Sequence, residues 1–171
     1  KQVDSIPETA KLIGRGMDFG FTTDPTAIVD VYQYDGKLWV NEHCYERGLT
    51  NDQIADRLRD KDCDVIADSA EQKSIREIYN YGIKKIEAAN KGADSIRNGI
   101  QILQRYEICV TKSSLNLIYE LRNYKWKEDK ITGELRNEPI DSNNHALDAL
   151  RYVALNKLSE SSKPRGIRVR N

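Results

Sequence analysis

The chain has 171 residues, enough for one domain with little to spare. A hydrophobic share of 39% and a charged share of 32% place it among soluble globular chains and exclude intrinsic disorder. Lysine plus arginine and aspartate plus glutamate number 27 each, so the formal net charge is zero, which argues against a sequence-blind nucleic-acid coat protein of high affinity. The balance is uneven. Residues 157–171 hold five basic side chains against Glu160, a net of +4, which leaves −4 for the rest. No window approaches the roughly 18 to 20 apolar residues of a membrane span. The first stretch, KQVDSIPETAK, lacks the apolar core of a secretory signal. The first residue is Lys rather than Met, so a piece of a longer polypeptide is expected. Residues 1–10 then read as a linker remnant, 11–158 as the folded domain and 159–171 as a loose basic tail. Cys44, Cys63 and Cys109 have no zinc-like spacing and read as reduced core or near-core thiols of a cytosolic protein.

In chain order, residues 11–19 read as a strand, followed by strands over 26–34 and 37–46. Asp35-Gly36 between the latter two is a strong hairpin signal, so an antiparallel meander is predicted. Thr50 has the chemistry of an N-cap, and Ile54, Ala55 and Leu58 share one face, which predicts a helix over 50–61. The apolar run 63–67, closed by Asp68, reads as a buried parallel strand. A helix over 70–80 carries Ile75, Ile78 and Tyr79 inward and stops at Gly82. Residues 83–88 read as a strand, 93–105 as a helix and 107–111 as a short strand. Ser113 or Ser114 caps a helix carrying Leu117, Ile118 and Leu121. Residues 124–138 read as a polar hairpin turning near Asp129-Lys130 or Thr132-Gly133, and Asp141 or Ser142 caps a final helix through about Leu158. This order predicts an α/β fold. Its mixed sheet has five or more strands, three antiparallel and then parallel, with helices on both faces and an accessory β-hairpin.

Three acids stand out by position. Asp18 and Asp68 each close an apolar strand, at the carboxyl end where α/β sheets bind ligands. Asp148 lies in the last helix among Ala146, Leu147, Ala149 and Leu150, and small alanines let that helix approach the sheet. Each acid also has an ordinary use: a turn for Asp18, a helix cap for Asp68, an ion pair with Arg151 for Asp148. Carboxylates ~4 Å apart repel by about 4 kcal/mol per pair at an effective dielectric of ~20. Three together therefore call for protonation or a cation between them, and an all-oxygen set suits Mg²⁺ or Mn²⁺ rather than zinc. His145 is three residues before Asp148 on the same face, as a ligand, a proton shuttle, a phosphate contact or a structural histidine. Asp141 continues that face, with an N-cap as its ordinary role. Lys91-Gly92-Ala93-Asp94-Ser95-Ile96 reads as a loop entering a helix, where Lys91 and backbone N–H groups can hold a phosphate.

Gly16-Met17-Asp18-Phe19-Gly20 with Asp24-Pro25-Thr26-Ala27, then Ala67-Asp68-Ser69-Ala70-Glu71, then Asn144-His145-Ala146-Leu147-Asp148-Ala149-Leu150-Arg151-Tyr152 resemble the C-terminal nuclease domain of the large terminase subunit of tailed bacteriophages. The resemblance covers about residues 11–158. It implies a ribonuclease H-like fold and cleavage of concatemeric double-stranded DNA during viral genome packaging, by Mg²⁺ or Mn²⁺, two ions in all. Asp18 would bridge the ions, Asp68 and Asp148 would each complete one, and His145 would act at the rim. The hairpin falls where such nucleases carry one beside the site, and Lys125, Lys127, Lys130 and Arg136 fit phosphate contact. The chain has no GxxxxGK[ST] motif. The ATPase domain is therefore expected upstream in the same polypeptide, with the portal protein and small terminase subunit as partners and the host cell cytoplasm as the workplace. The rivals are another ribonuclease H-like nuclease, such as a junction resolvase or an RNA–DNA hybrid hydrolase, and a non-catalytic module docking on a portal through residues 163–170.

Overall fold

The computed structural model describes residues 1–128, 131–139 and 144–159. The meander forms as expected: β2 (Lys11–Asp18), β3 (Thr26–Tyr34) and β4 (Lys37–Glu46) pair antiparallel. Asp35 and Gly36 turn the chain with φ of 50° and 69°, the double positive φ of a tight hairpin. On the far side of β2 lie the parallel strands β5 (Val65–Ala67) and β6 (Ile86–Ala88). On the far side of β4 lies β7 (Ile108–Thr111), also parallel. The stretch expected to be a linker supplies a further strand, β1 (Gln2–Val3), paired parallel with β7. Two residues carry no readable alternation, and backbone pairing alone makes this strand. The sheet has seven strands in the order β1-β7-β4-β3-β2-β5-β6.

The strands alternate their side chains between two helical layers. On one face Val29, Val31, Val40 and Ile66 meet α3 (Ser95–Leu103), α4 (Leu115–Asn123) and α5 (His145–Val153). On the other, Met17, Ile28 and Val65 meet α1 (Asn51–Leu58) and α2 (Gln72–Asn80). Thr50 and Gln53 form a capping box at α1. The α1 face also buries Arg15 and Asp30, both 0% exposed. Arg15 Nε bonds Asp30 at 2.6 Å, its Nη1 bonds Asp60 at 2.6 Å, and Lys61 Nζ bonds the other Asp30 oxygen at 2.6 Å.

Two strands, β8 (Trp126–Glu128) and β9 (Leu135–Pro139), pair as the hairpin expected over 124–138. The last helix begins at His145 with Asn144 in the N-cap position, so neither Asp141 nor Ser142 holds that place. Both of these lie outside the described residues, as do Asp129, Lys130, Ile140, Asn143 and the tail from Glu160 on. The helix continues as a π-helical turn, Ala154–Leu158. Cys44 and Cys109 are buried, Cys63 is partly so, and all three are free thiols. No helix among the described residues is long and apolar enough to cross a membrane.

Candidate functional site

Asp18 ends β2, and Asp68 follows β5, its neighbour in the sheet. Their carboxylates therefore leave the same sheet end. α5 brings Asp148 over this end because it packs directly on β2. A Cβ at Gly16 would lie 1.8 Å from the Ala149 carbonyl oxygen, so only glycine admits the helix there. Ala146 and Ala149 are fully buried on that face, as their small size predicts.

The three acids meet around the hydroxyl of Tyr152, a residue that sequence reasoning passed over. The Tyr152 hydroxyl donates to Asp18 Oδ1 at 3.3 Å and also hydrogen-bonds Asp68. Burial raises the Tyr152 phenol, and Asp18, Asp148 and Asp68 reinforce the shift. The spacing from Asp148, four residues on one helical face, was the available signal.

Protein cations accompany each acid. Lys91 Nζ bonds Asp68 Oδ1, and its ammonium stands 4.9 Å from the centre of the Tyr152 ring. Arg151 Nη2 pairs with Asp148 Oδ1 at 2.9 Å, and one further Arg151 nitrogen, Nη1, is buried without a hydrogen-bond partner. His145 Nδ1 meets Asp18 Oδ2 at 3.0 Å, and its Nε2 faces Asp24 at 3.5 Å. Both ring nitrogens point at carboxylates, so the doubly protonated ring fits best. The Asp18 hydrogen bond accordingly raises the His145 pKa from its ordinary value. Burial raises Asp148, against Arg151 and with help from Asp18. For Asp68 burial acts upward, but the Ala70 N–H and Lys91 together hold it below the usual carboxylate range.

Protein cations balance these acids with the side chains as they stand: Lys91 for Asp68, Arg151 for Asp148 and His145 for Asp18. Among the described residues no three acid, histidine or cysteine groups are gathered tightly enough to grip an ion. The donor chemistry still fits one, because three carboxylates offer the hard oxygen ligands of Mg²⁺ or Mn²⁺. Lys91, expected on a phosphate-holding loop, instead turns inward. Its loop is anchored where the Asn90 N–H bonds Asn156 Oδ1 on the π-helical turn, at 2.8 Å. Lys125 is exposed beside the hairpin. The Lys127 and Arg136 side chains and all of Lys130 lie outside the described residues.

A further carboxylate supports α5 from below. Glu120 of α4 is 1% exposed and accepts from the Leu147 N–H at 2.8 Å, from the Tyr45 hydroxyl at 2.8 Å and from the Ala146 N–H. The Tyr45 ring packs edge-on against His145 at 6.5 Å. A lone glutamate in an amphipathic helix gave no sequence signal.

Comparison with known proteins gives this geometry relatives. The chain is 31% identical over 154 residues to the terminase large subunit of Bacillus phage SPP1, and 29% over 143 residues to the PBSX phage terminase large subunit of Bacillus subtilis (strain 168). These alignments cover 82% and 81% of this chain but 35% and 33% of the relatives, so the chain spans about a third of their length. The nuclease domain of the SPP1 large terminase, solved with bound Mn, is similar with a TM-score of 0.75 and 27% identity, covering 90% of this chain and 93% of that one. The large terminase nuclease of thermophilic phage G20c, solved with bound cobalt, has a TM-score of 0.62 at 17% identity over 89% and 84% of the two chains, a likeness of fold. The family described as "Terminase RNAseH like domain" matches residues 18–156, most of the sheet and all three acids, and the chain belongs to that family.

Proposed function

We propose that the chain is a divalent-metal-dependent endonuclease that cuts concatemeric double-stranded DNA during viral genome packaging. The observation that carries this reading is the meeting of Asp18, Asp68 and Asp148 around the Tyr152 hydroxyl at the sheet's carboxyl end. Asp18, Asp68 and Asp148 are the side chains that would hold Mg²⁺ or Mn²⁺, two ions in all. A metal held there would supply Lewis-acid chemistry toward a phosphodiester and a water. Tyr152 fixes the Asp18 and Asp68 carboxylates in orientation. Lys91 and Arg151 neutralise the acids until metal and phosphate arrive. His145, held between Asp18 and Asp24, keeps its protons on Nδ1 and Nε2 at the rim of the site, where a departing oxygen can take one. Lys125 and the hairpin border the path of the duplex. An ATPase domain in the same polypeptide, the portal protein and the small terminase subunit position the DNA in the host cytoplasm.

Plasmid cleavage in Mg²⁺ or Mn²⁺, with EDTA and Asp18→Asn as controls, tests the reading. Cutting that survives Asp18→Asn overturns it. A panel of duplex, junction and hybrid substrates separates the resolvase and hybrid-hydrolase rivals. One observation favours a second reading, a non-catalytic docking module: each acid already has a protein cation. Calorimetric Mn²⁺ titration decides between them, since a docking module binds no metal at the acids.

A further inference from the structure

The start of α5 is held in an unusual way. Asn144 occupies the N-cap, yet its side chain makes no cap hydrogen bond. Its Nδ2 instead reaches Asp148 Oδ2, at 3.4 Å. His145 and Asp148, in the same first turn, face Asp18 and Arg151. The first turn of a helix exposes backbone N–H groups that need an acceptor, and burial makes an unmet one costly. Here the acceptor comes from another helix: the buried Glu120 carboxylate takes the Ala146 and Leu147 N–H groups. The same device recurs one step earlier. Ser114, the N-cap of α4, makes no cap bond either. Glu42 of β4 accepts the Leu117 N–H at 2.8 Å and the Asn116 side chain at 2.8 Å. Two carboxylates thus tie β4 to α4 and α4 to α5 in series, and Tyr45 of β4, bonded to Glu120, closes the triangle with its ring against His145 of α5.

We propose that Glu120 is a positioning residue: by capping α5 from outside, it leaves the helix's first turn free to present His145 to Asp18 and to hold the Asn144 side chain on Asp148. This rests on the reading of Asp18 and Asp148 as metal-holding acids. A local cap by Asn144 would satisfy the backbone equally well, but would withdraw that side chain from Asp148. The external cap also fixes the helix end against α4, so the His145 ring meets a wall in Tyr45 rather than open solvent.

The test uses the full chain with Glu120→Gln, which keeps the volume and one acceptor oxygen, and with Tyr45→Phe. Three quantities are read: the thermal midpoint, Mn²⁺ affinity by calorimetry, and the kcat and KM of plasmid cutting. The expected result for Glu120→Gln is a folded protein with KM for DNA unchanged, and with kcat and Mn²⁺ affinity each reduced about tenfold, the scale of lost support behind metal-holding side chains. Tyr45→Phe shifts the same quantities in the same direction by less. Should Glu120→Gln keep kcat and Mn²⁺ affinity within about twofold of the parent, against that tenfold scale, or lose them only in step with its folded fraction, Glu120 is merely structural and the proposal is overturned. Asp18→Asn runs beside it: if that variant binds Mn²⁺ and cuts as the parent does, the acid site itself is misassigned and this proposal falls with it.

Discussion

Arg15 and Asp18 lie three residues apart on β2, yet the charge clusters around them are put together differently. Around Arg15 two cations face two carboxylates. Arg15 and Asp30 are wholly buried, and their further partners Asp60 and Lys61 reach them from the turn that follows α1. Around Asp18 two carboxylates share a tyrosine hydroxyl and a third stands close, and their cations reach in from a loop and from α5 itself. The Lys91 side chain keeps 29% of its surface exposed and its partner Asp68 20%. A cluster whose charges balance around a buried pair can only be broken. A cluster with more carboxylates than it needs can exchange one cation for another. The difference teaches that a balanced buried ion pair in this fold signals architecture, while a partly exposed surplus of acids signals exchange.

Four variants break or sharpen that contrast. The largest effect is expected for Asp18→Asn, which should reduce metal-dependent plasmid cutting about a thousandfold, some 4 kcal/mol of lost transition-state stabilisation. Urea unfolding of the same variant in EDTA should show stability close to the parent's, since relief of repulsion from Asp68 and Asp148 offsets the weakened contact with His145. Asp30→Asn should do the reverse. It leaves Arg15 and Lys61 short of a buried counter-charge, and urea unfolding should register a loss of about 3 kcal/mol. Lys91→Met comes next: Mn²⁺ binding by calorimetry should tighten about fivefold, because ammonium and ion compete for Asp68 and such coupling is reciprocal. Its thermal midpoint in EDTA should fall. Unchanged Mn²⁺ affinity would show that Lys91 is as fixed as Arg15.

The smallest effect is in pH dependence. The Asp18 hydrogen bond raises the folded pKa of His145 above its ordinary 6.5. A raised folded value means that the contact stabilises fully below about pH 6.5, and that this stabilisation fades as pH rises through the folded pKa. The stability margin of the parent over His145→Asn in EDTA should therefore be widest in mild acid and shrink in mild base. A margin that widens with pH would mean that the ring is neutral when folded.

Much of this was legible in the residues. Asp18 and Asp68 were readable because apolar runs end on them, and Asp148 because alanines flank it. The meander followed from Asp35-Gly36. What escaped had no local signature. Arg15 sits among strand residues while its partners Asp30 and Asp60 are distant in sequence. β1 is too short for any period. Glu120 resembles any surface glutamate until α5 is laid across it. Lys91 was noticed for its loop, but only the fold shows the loop tied back through Asn156.

The bare backbone at Gly16 has a consequence for how this domain can vary. Because Ala149 rests on it, the separation between strand and helix is set by atoms no mutation can trim, and any added carbon lifts the helix away. One residue without a side chain thus serves as the spacer block against which the gap between Asp18 and Asp148 is gauged. Drift in the sequence around it can reshape the rim of the cleft and leave its width alone.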